Sequence, residues 1–98
     1  MVRRIIWSKR AVLERQEILL YWVERNKSKS YSIKLNKLIS EEIKILAKNP
    51  FIGRETDDAD IRIKVIRDYL LFYEVRDNEL HILSLWDSRR NPGSFQLK

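Results

Sequence analysis

Five basic side chains stand where they could act on a phosphate. Arg62 and Lys64 alternate along a strand-like run, Arg67 lies in the turn after it, and Arg89-Arg90 close the last apolar run. They come from the strand, turn and exit of what reads as one sheet, so they can converge. Grouped there, they would grip phosphates and offset charge building on a scissile phosphate. A scatter of solubilising charges is the simpler account, and residue types alone leave both open. Other chemistry has less to stand on. With two Gly there is no Gly-rich phosphate loop, and with no Cys and a single His there is no zinc site. His81 sits mid-strand opposite Glu74, which suits a cross-strand pair better than a catalytic triad. Glu41-Glu42 point in different directions on a helix. Asp57, Asp58 and Asp60 lack calcium-loop spacing and read as a solvated loop, so no metal is expected.

The elements that must position the basic set lie in the second half of the chain. Ile61–Ile66, Tyr69–Val75 and Leu80–Trp86 are rich in β-branched and aromatic residues. Arg67-Asp68 and Asp77-Asn78 separate them, and the latter suits a two-residue hairpin turn. The spacing predicts a three-strand antiparallel meander. A regular register from Asp77-Asn78 pairs Val75 with Leu80, Tyr73 with Ile82, Leu71 with Ser84 and Tyr69 with Trp86 on the inner face. Leu70, Phe72, Leu83 and Leu85 then form an apolar floor on the outer face, beside Glu74 and His81. Burying Ile61, Ile63 and Val65 turns Arg62 and Lys64 outward, which requires an odd residue or bulge between Val65 and Tyr69. The floor, rimmed by Arg62, Lys64, Arg67, Arg89 and Arg90, reads as a contact surface.

The first half reads as the cover of that sheet. Val2–Trp7 is a short strand signal, and Ser8 is placed to cap a helix whose apolar face carries Ala11, Ile18 and Trp22, interrupted by Arg15. Residues 26–30 connect it to a second helix ending near Lys48 at Asn49-Pro50, with Leu35, Leu38, Ile39, Ile43 and Leu46 on its stripe. Tyr21, Trp22 and Tyr31 suit packing between the two. The prediction is an α+β domain over residues 1–98, ordered β-α-α-β-β-β, with a helical hairpin on one face of a four-stranded sheet.

Composition sets the outer limits. Ninety-eight residues with 44% hydrophobic side chains support one domain, burying roughly two-thirds of its unfolded surface. The absence of Cys, of a signal-peptide pattern and of a membrane-length apolar run places it in the cytoplasm as an expectation. The net charge of +6 invites an anionic partner. Residues 1–53 hold twelve Lys/Arg against five Asp/Glu, while residues 54–98 hold eight against nine, so the excess is on the helical half.

The chain resembles the RelE/ParE superfamily of type II toxin–antitoxin toxins. The likeness rests on Ile5-Ile6-Trp7-Ser8 with Ala11, on Leu46-Ala47-Lys48-Asn49-Pro50 with Gly53-Arg54, on Ile61-Arg62 and Tyr69-Leu70-Leu71-Phe72-Tyr73, and on Leu80-His81-Ile82-Leu83 leading to Asp87-Ser88-Arg89-Arg90-Asn91-Pro92. It covers nearly the whole chain. It implies a toxin without cofactor or membrane partner, neutralised in a hetero-oligomer by a cognate antitoxin. It also implies one of two targets, DNA gyrase or the ribosome with its messenger RNA. For a ribonuclease the resemblance designates Arg62, Lys64 and Arg89 as catalytic. Leu70, however, stands where that branch carries an arginine, Phe95 where it carries a tyrosine, and Asp87 where many relatives carry histidine. Leucine cannot stabilise a phosphorane and phenylalanine cannot move a proton, so the gyrase-directed reading is preferred. A basic nucleic-acid-binding domain is the third reading. Antitoxin or target is expected on Leu70, Phe72, Leu83 and Leu85, with Arg67 and Arg90 at the rim.

Overall fold

Ser8 ties the helical half of the molecule to the sheet. In the computed structural model, which describes residues 2–89, its hydroxyl accepts from the Ala11 amide at 3.0 Å and donates to the Leu83 carbonyl at 2.9 Å. The first contact caps α1 (Lys9–Asn26) and the second fastens that cap to a strand. α1 stops where Lys27 turns left-handed, with φ of 54°. α2 (Ser30–Lys48) follows after Ser28 takes the Ser30 amide. Leu35, Ile39, Ile43 and Leu46 are buried along α2, as are Ala11 and Ile18 on α1. Arg15, the break in the apolar face, straps the hairpin together. Its guanidinium donates to Asn36 and Ser40 and lies 4.8 Å from the Trp7 ring. Partial burial lowers its pKa.

The sheet has five strands, in the order β1-β5-β4-β3-β2. They are β1 (Arg4–Trp7), β2 (Arg54–Glu55), β3 (Ile61–Ile66), β4 (Tyr69–Arg76) and β5 (Glu79–Asp87). The meander β3-β4-β5 is antiparallel, and β1 joins β5 in parallel. The fifth strand is β2, read from the sequence as turn and loop; it pairs with Arg62 and Ile63. Both helices pack on one face, over Tyr69, Leu71, Tyr73, Leu80 and Ile82.

Two registers differ from the sequence reading. Arg67 adopts φ of 55° and Asp77 φ of 51°, so each hairpin closes over two residues with none to spare. Arg62 therefore lies opposite Tyr73 and Lys64 opposite Leu71, on the helix side of the sheet. Ile61, Ile63 and Val65 take the other face, where Val65 is 49% exposed. The outward placement of Arg62 and Lys64 and the odd β3–β4 connection are thus both corrected. The second difference is a bulge in β5. Tyr73 pairs with Ile82 but Phe72 with Ser84, leaving Leu83 as the extra residue. Beyond it the parity inverts: Leu71 meets Leu85, Leu70 meets Trp86, and Leu85 turns into the core at 2% exposure. Glu14 of α1 receives the donors at the bulge, its Oε1 accepting from Ser84 Oγ at 2.8 Å and the Leu85 amide at 3.1 Å.

Tyr73 anchors the other end of the core. Its buried hydroxyl donates to the Pro50 carbonyl at 2.6 Å and accepts from the Gly53 amide at 3.0 Å. This holds the 3-10 turn Pro50–Ile52 against the sheet. A Cβ on Gly53 would run into that hydroxyl. Tyr73→Phe should cost about 2 kcal/mol, because it strands a buried carbonyl and amide together. Gly53→Ala should cost more, by denying the ring its place. Burial raises the pKa of Tyr73 and of Tyr69. Their contribution to stability is therefore full below the unfolded tyrosine value of about 10 and lost as pH rises through the folded values. Thermal unfolding above that pH should show a falling midpoint, with a shallower fall in Tyr73→Phe.

Candidate functional site

The residues around the end of β5 form a cleft of about 280 Å³ lined by Glu17, Ile18, Tyr21, Tyr69, Asp87 and Arg89. Helical spacing puts Glu17, Ile18 and Tyr21 along one side of α1. The floor is Tyr69, whose hydroxyl accepts from Trp22 Nε1 at 2.6 Å. Trp22 meets Tyr21 and Tyr31 edge-on, with centroids 5.1 and 4.8 Å apart. The exit of β5 is fastened to the β3–β4 turn by the Ser88 amide and hydroxyl, both donating to the Asp68 carbonyl. Arg89 is thereby delivered to the cleft mouth, its guanidinium 5.6 Å from the Trp22 ring.

The electrostatics of this cleft do not favour a phosphate. Arg89 is held by Asp87 through its Nε at 3.0 Å, its Nη2 at 2.9 Å and its own backbone amide at 2.9 Å. That pairing raises the arginine pKa further above its ordinary value. Glu17 adds a second carboxylate, so the described lining holds one cation against two anions. Burial raises the pKa of Tyr69, against the opposing donation from Trp22; the phenol is neutral near physiological pH.

The other basic candidates are divided between two places. Arg67 sits exposed in the turn that holds Ser88, at the same end as Arg89. Arg62 lies beside Tyr73, four residues along β4 from Tyr69, which at strand spacing is about 13 Å away. Its Nη1 donates to the carbonyls of Gly53 at 2.8 Å and Phe51 at 3.2 Å, and its Nη2 pairs with Glu55. Lys64 stands between, beside Leu71. Arg90 and Phe95 lie outside the described residues. The outer floor is smaller than the alternation implied, since Leu85 is core, Phe72 is 8% exposed, and Leu70 and Leu83 are half-buried.

The sequence reading missed Glu17, the Trp22–Tyr69 bond and Glu14. A signal was present for the first: Glu17 and Tyr21 stand one turn apart and flank the buried Ile18. It also passed over a shallow apolar groove on the helical hairpin. Trp7, Val12, Arg15, Gln16 and Leu19 line one part of about 310 Å³. Leu19 continues it into a second part of about 210 Å³ with Val23, Ser32 and Ile33. Ile33 is 65% exposed there.

This fold, with its helical hairpin over a mixed sheet and an arginine at the exit of the last strand, is that of a small toxin of the RelE/ParE type. Residues 5–92 match the family model of the ParE toxin of the type II toxin–antitoxin system parDE, and the chain belongs to that family. Among solved structures it is similar to a chain of the chromosomal ParDE TA system from P. aeruginosa. The TM-score is 0.75 at 19% identity, covering 88% of this chain and 96% of that one. No match is found among curated proteins. Among the described residues no helix is long and apolar enough to cross a membrane.

Because Arg62 fastens a loop through two backbone carbonyls, its removal should show first in stability. Arg62→Ala should lower the free energy of unfolding by about 2 kcal/mol, the scale of charge-assisted hydrogen bonds. Arg62→Lys should restore little of it, lacking the planar fork. Denaturant unfolding of the three proteins checks this, and an unchanged midpoint for Arg62→Ala would contradict the fastening role.

Proposed function

We propose that this protein is the growth-inhibiting toxin of a toxin–antitoxin module and acts by binding DNA gyrase. The observation that carries the reading is the engagement of its basic side chains within the fold. Arg89 is paired with Asp87, and Arg62 with the Phe51 and Gly53 carbonyls beside Tyr73, four residues along β4 from Tyr69. A nuclease site would need these cations turned toward one scissile phosphate. A protein-binding toxin has no such requirement, and the cleft with Tyr21, Asp87 and Arg89 at its mouth, flanked by Arg67, offers a mixed polar and aromatic contact to a target.

The cognate antitoxin is best placed in the hairpin groove. Its apolar lining at Val12, Leu19, Val23 and Ile33 is wet in the free chain, whereas the outer floor has lost Leu85 to the core. An amphipathic helix laid between α1 and α2 would bury that lining, in the helix-in-groove manner. Leu70, Phe72 and Leu83 remain the alternative seat.

Tightly controlled expression in bacteria should arrest growth and induce a DNA-damage response while messenger RNA stays intact. The purified protein should inhibit gyrase supercoiling. Arrest accompanied by cleavage of messenger RNA on translating ribosomes would overturn the reading in favour of a ribonuclease. For the antitoxin, Ile33→Asp should weaken binding by about 2 kcal/mol or more if Ile33 is an anchor. Full affinity in that variant, with loss in Phe72→Asp, would return the antitoxin to the sheet.

A further inference from the structure

The end of the molecule remote from the Arg89 cleft carries a second surface that the toxin reading does not use. Phe51 and Ile52 project from the 3-10 turn at 63% and 54% exposure. Ile45, in the last turns of α2, is 47% exposed, and Val2, entering β1, is 60% exposed. The Arg3 amide donates to the Ala47 carbonyl at 3.0 Å, which brings the β1 entry against the end of α2. Arg3, Lys48, Asn49, Pro50, Phe51 and Ile52 line a shallow hollow there of about 390 Å³. An exposed apolar pair, Phe51-Ile52, bordering a hollow with Arg3 and Lys48 is the pattern of a contact surface.

Two features show that the surface is preorganised and which charge it accepts. The Arg62 guanidinium lies over the Phe51 ring, 5.3 Å from its centroid, and also holds the Phe51 carbonyl. The turn beneath it is pinned by Tyr73. Arg3 Nε is buried and has no hydrogen-bond partner among the described residues. That atom is sealed from any partner, but Arg3 and Lys48 are the charged side chains of the hollow, whose described lining holds no carboxylate. A carboxylate is the group they accept best. Lys48 on the hollow adds positive charge, with Lys44 four residues before it and Arg54 six after it in sequence. Glu55, the nearest acid in sequence to the turn, is paired with Arg62.

We infer that this knuckle, Phe51-Ile52 with Arg3 and Lys48, is a docking surface for an acidic protein segment carrying aliphatic or aromatic anchors. The anchors pack on Phe51, Ile52 and Ile45 while carboxylates meet Arg3 and Lys48. Amphipathic protein fits better than nucleic acid. One face of Phe51 is taken by Arg62, and its neighbours are aliphatic and offer bases no stacking platform. The surface is also separate from the hairpin groove, because Ile33 and Lys48 lie fifteen residues apart on α2, roughly 22 Å of helix. A partner here leaves the groove and the cleft open.

The test uses the full chain, isotope-labelled by cell-free synthesis, titrated with a short synthetic peptide of Glu interspersed with Leu and Phe. Two control peptides replace its Glu by Lys, or its Leu and Phe by Ser. Saturable shifts of the amides of Arg3 and residues 44–54, from the first peptide alone, are expected. The double variant Phe51→Ser, Ile52→Ser and the single variant Arg3→Ala should each weaken binding about tenfold or more. Both apolar sites are exposed, and retained amide dispersion confirms folding. Absence of saturable binding, equal binding of either control peptide, or shifts centred on the hairpin groove or the Arg89 cleft would each overturn the proposal. A single-stranded oligonucleotide that shifts the same amides and competes with the peptide would overturn it in favour of nucleic acid.

Discussion

The buried face of β4 governs the rest of the molecule. Tyr69, Leu71 and Tyr73 alternate along it at 1%, 0% and 0% exposure, so two phenol hydroxyls are carried into an apolar core and each must find a partner there. Tyr69 finds Trp22 on α1, and Tyr73 finds the Pro50 carbonyl and Gly53 amide. These bonds lie at the start and the middle of one strand. Together they fix the height of α1 over the sheet and the path of the chain as it leaves α2. The cleft at one end and the Phe51 knuckle at the other are both consequences of where those hydroxyls are satisfied.

Charged side chains act as fasteners in the same frame. Arg62 closes the 3-10 turn and β2 against β3, Arg15 holds α1, α2 and β1 at one junction, and Glu14 serves the donors at the β5 bulge. Each replaces several water contacts with fixed internal ones, worthwhile because the groups it satisfies are backbone or short polar side chains next to the core. An arginine used this way is not available as a preformed stabiliser of a scissile phosphate. Arg89 is engaged too, by both oxygens of Asp87, in a pair whose guanidinium stays half exposed to water. Both arginines are thereby engaged within the fold rather than turned toward one common point.

Much was legible along the chain because it depends on local pattern. Ser8 as a cap, the stripe Leu35–Leu46, the stop at Asn49-Pro50, the Asp77-Asn78 turn and the meander follow from capping chemistry, helical period and β-branched runs. The register next to the Asp77-Asn78 turn follows too, with Val75 opposite Leu80 and Tyr73 opposite Ile82. So does the element order apart from the short β2, and with it the resemblance to the toxin superfamily.

Tertiary structure alone decided the faces. In a strand the side chains alternate, so one residue gained or lost in a turn or a bulge sends every following side chain to the opposite side. The aliphatic Ile61, Ile63 and Val65 argued for burial, yet a left-handed Arg67 closes the β3–β4 turn on two residues and puts Arg62 and Lys64 toward the helices. Arg62 pays for that place with carbonyls from a loop nine residues upstream or more, a partnership that no spacing announces. The bulge at Leu83 likewise moves Leu85 into the core, where Glu14 from the far half of the chain takes up its amide. Local pattern set which segments are strands; long-range hydrogen-bond partners set which way they face, because only the assembled fold supplies those partners.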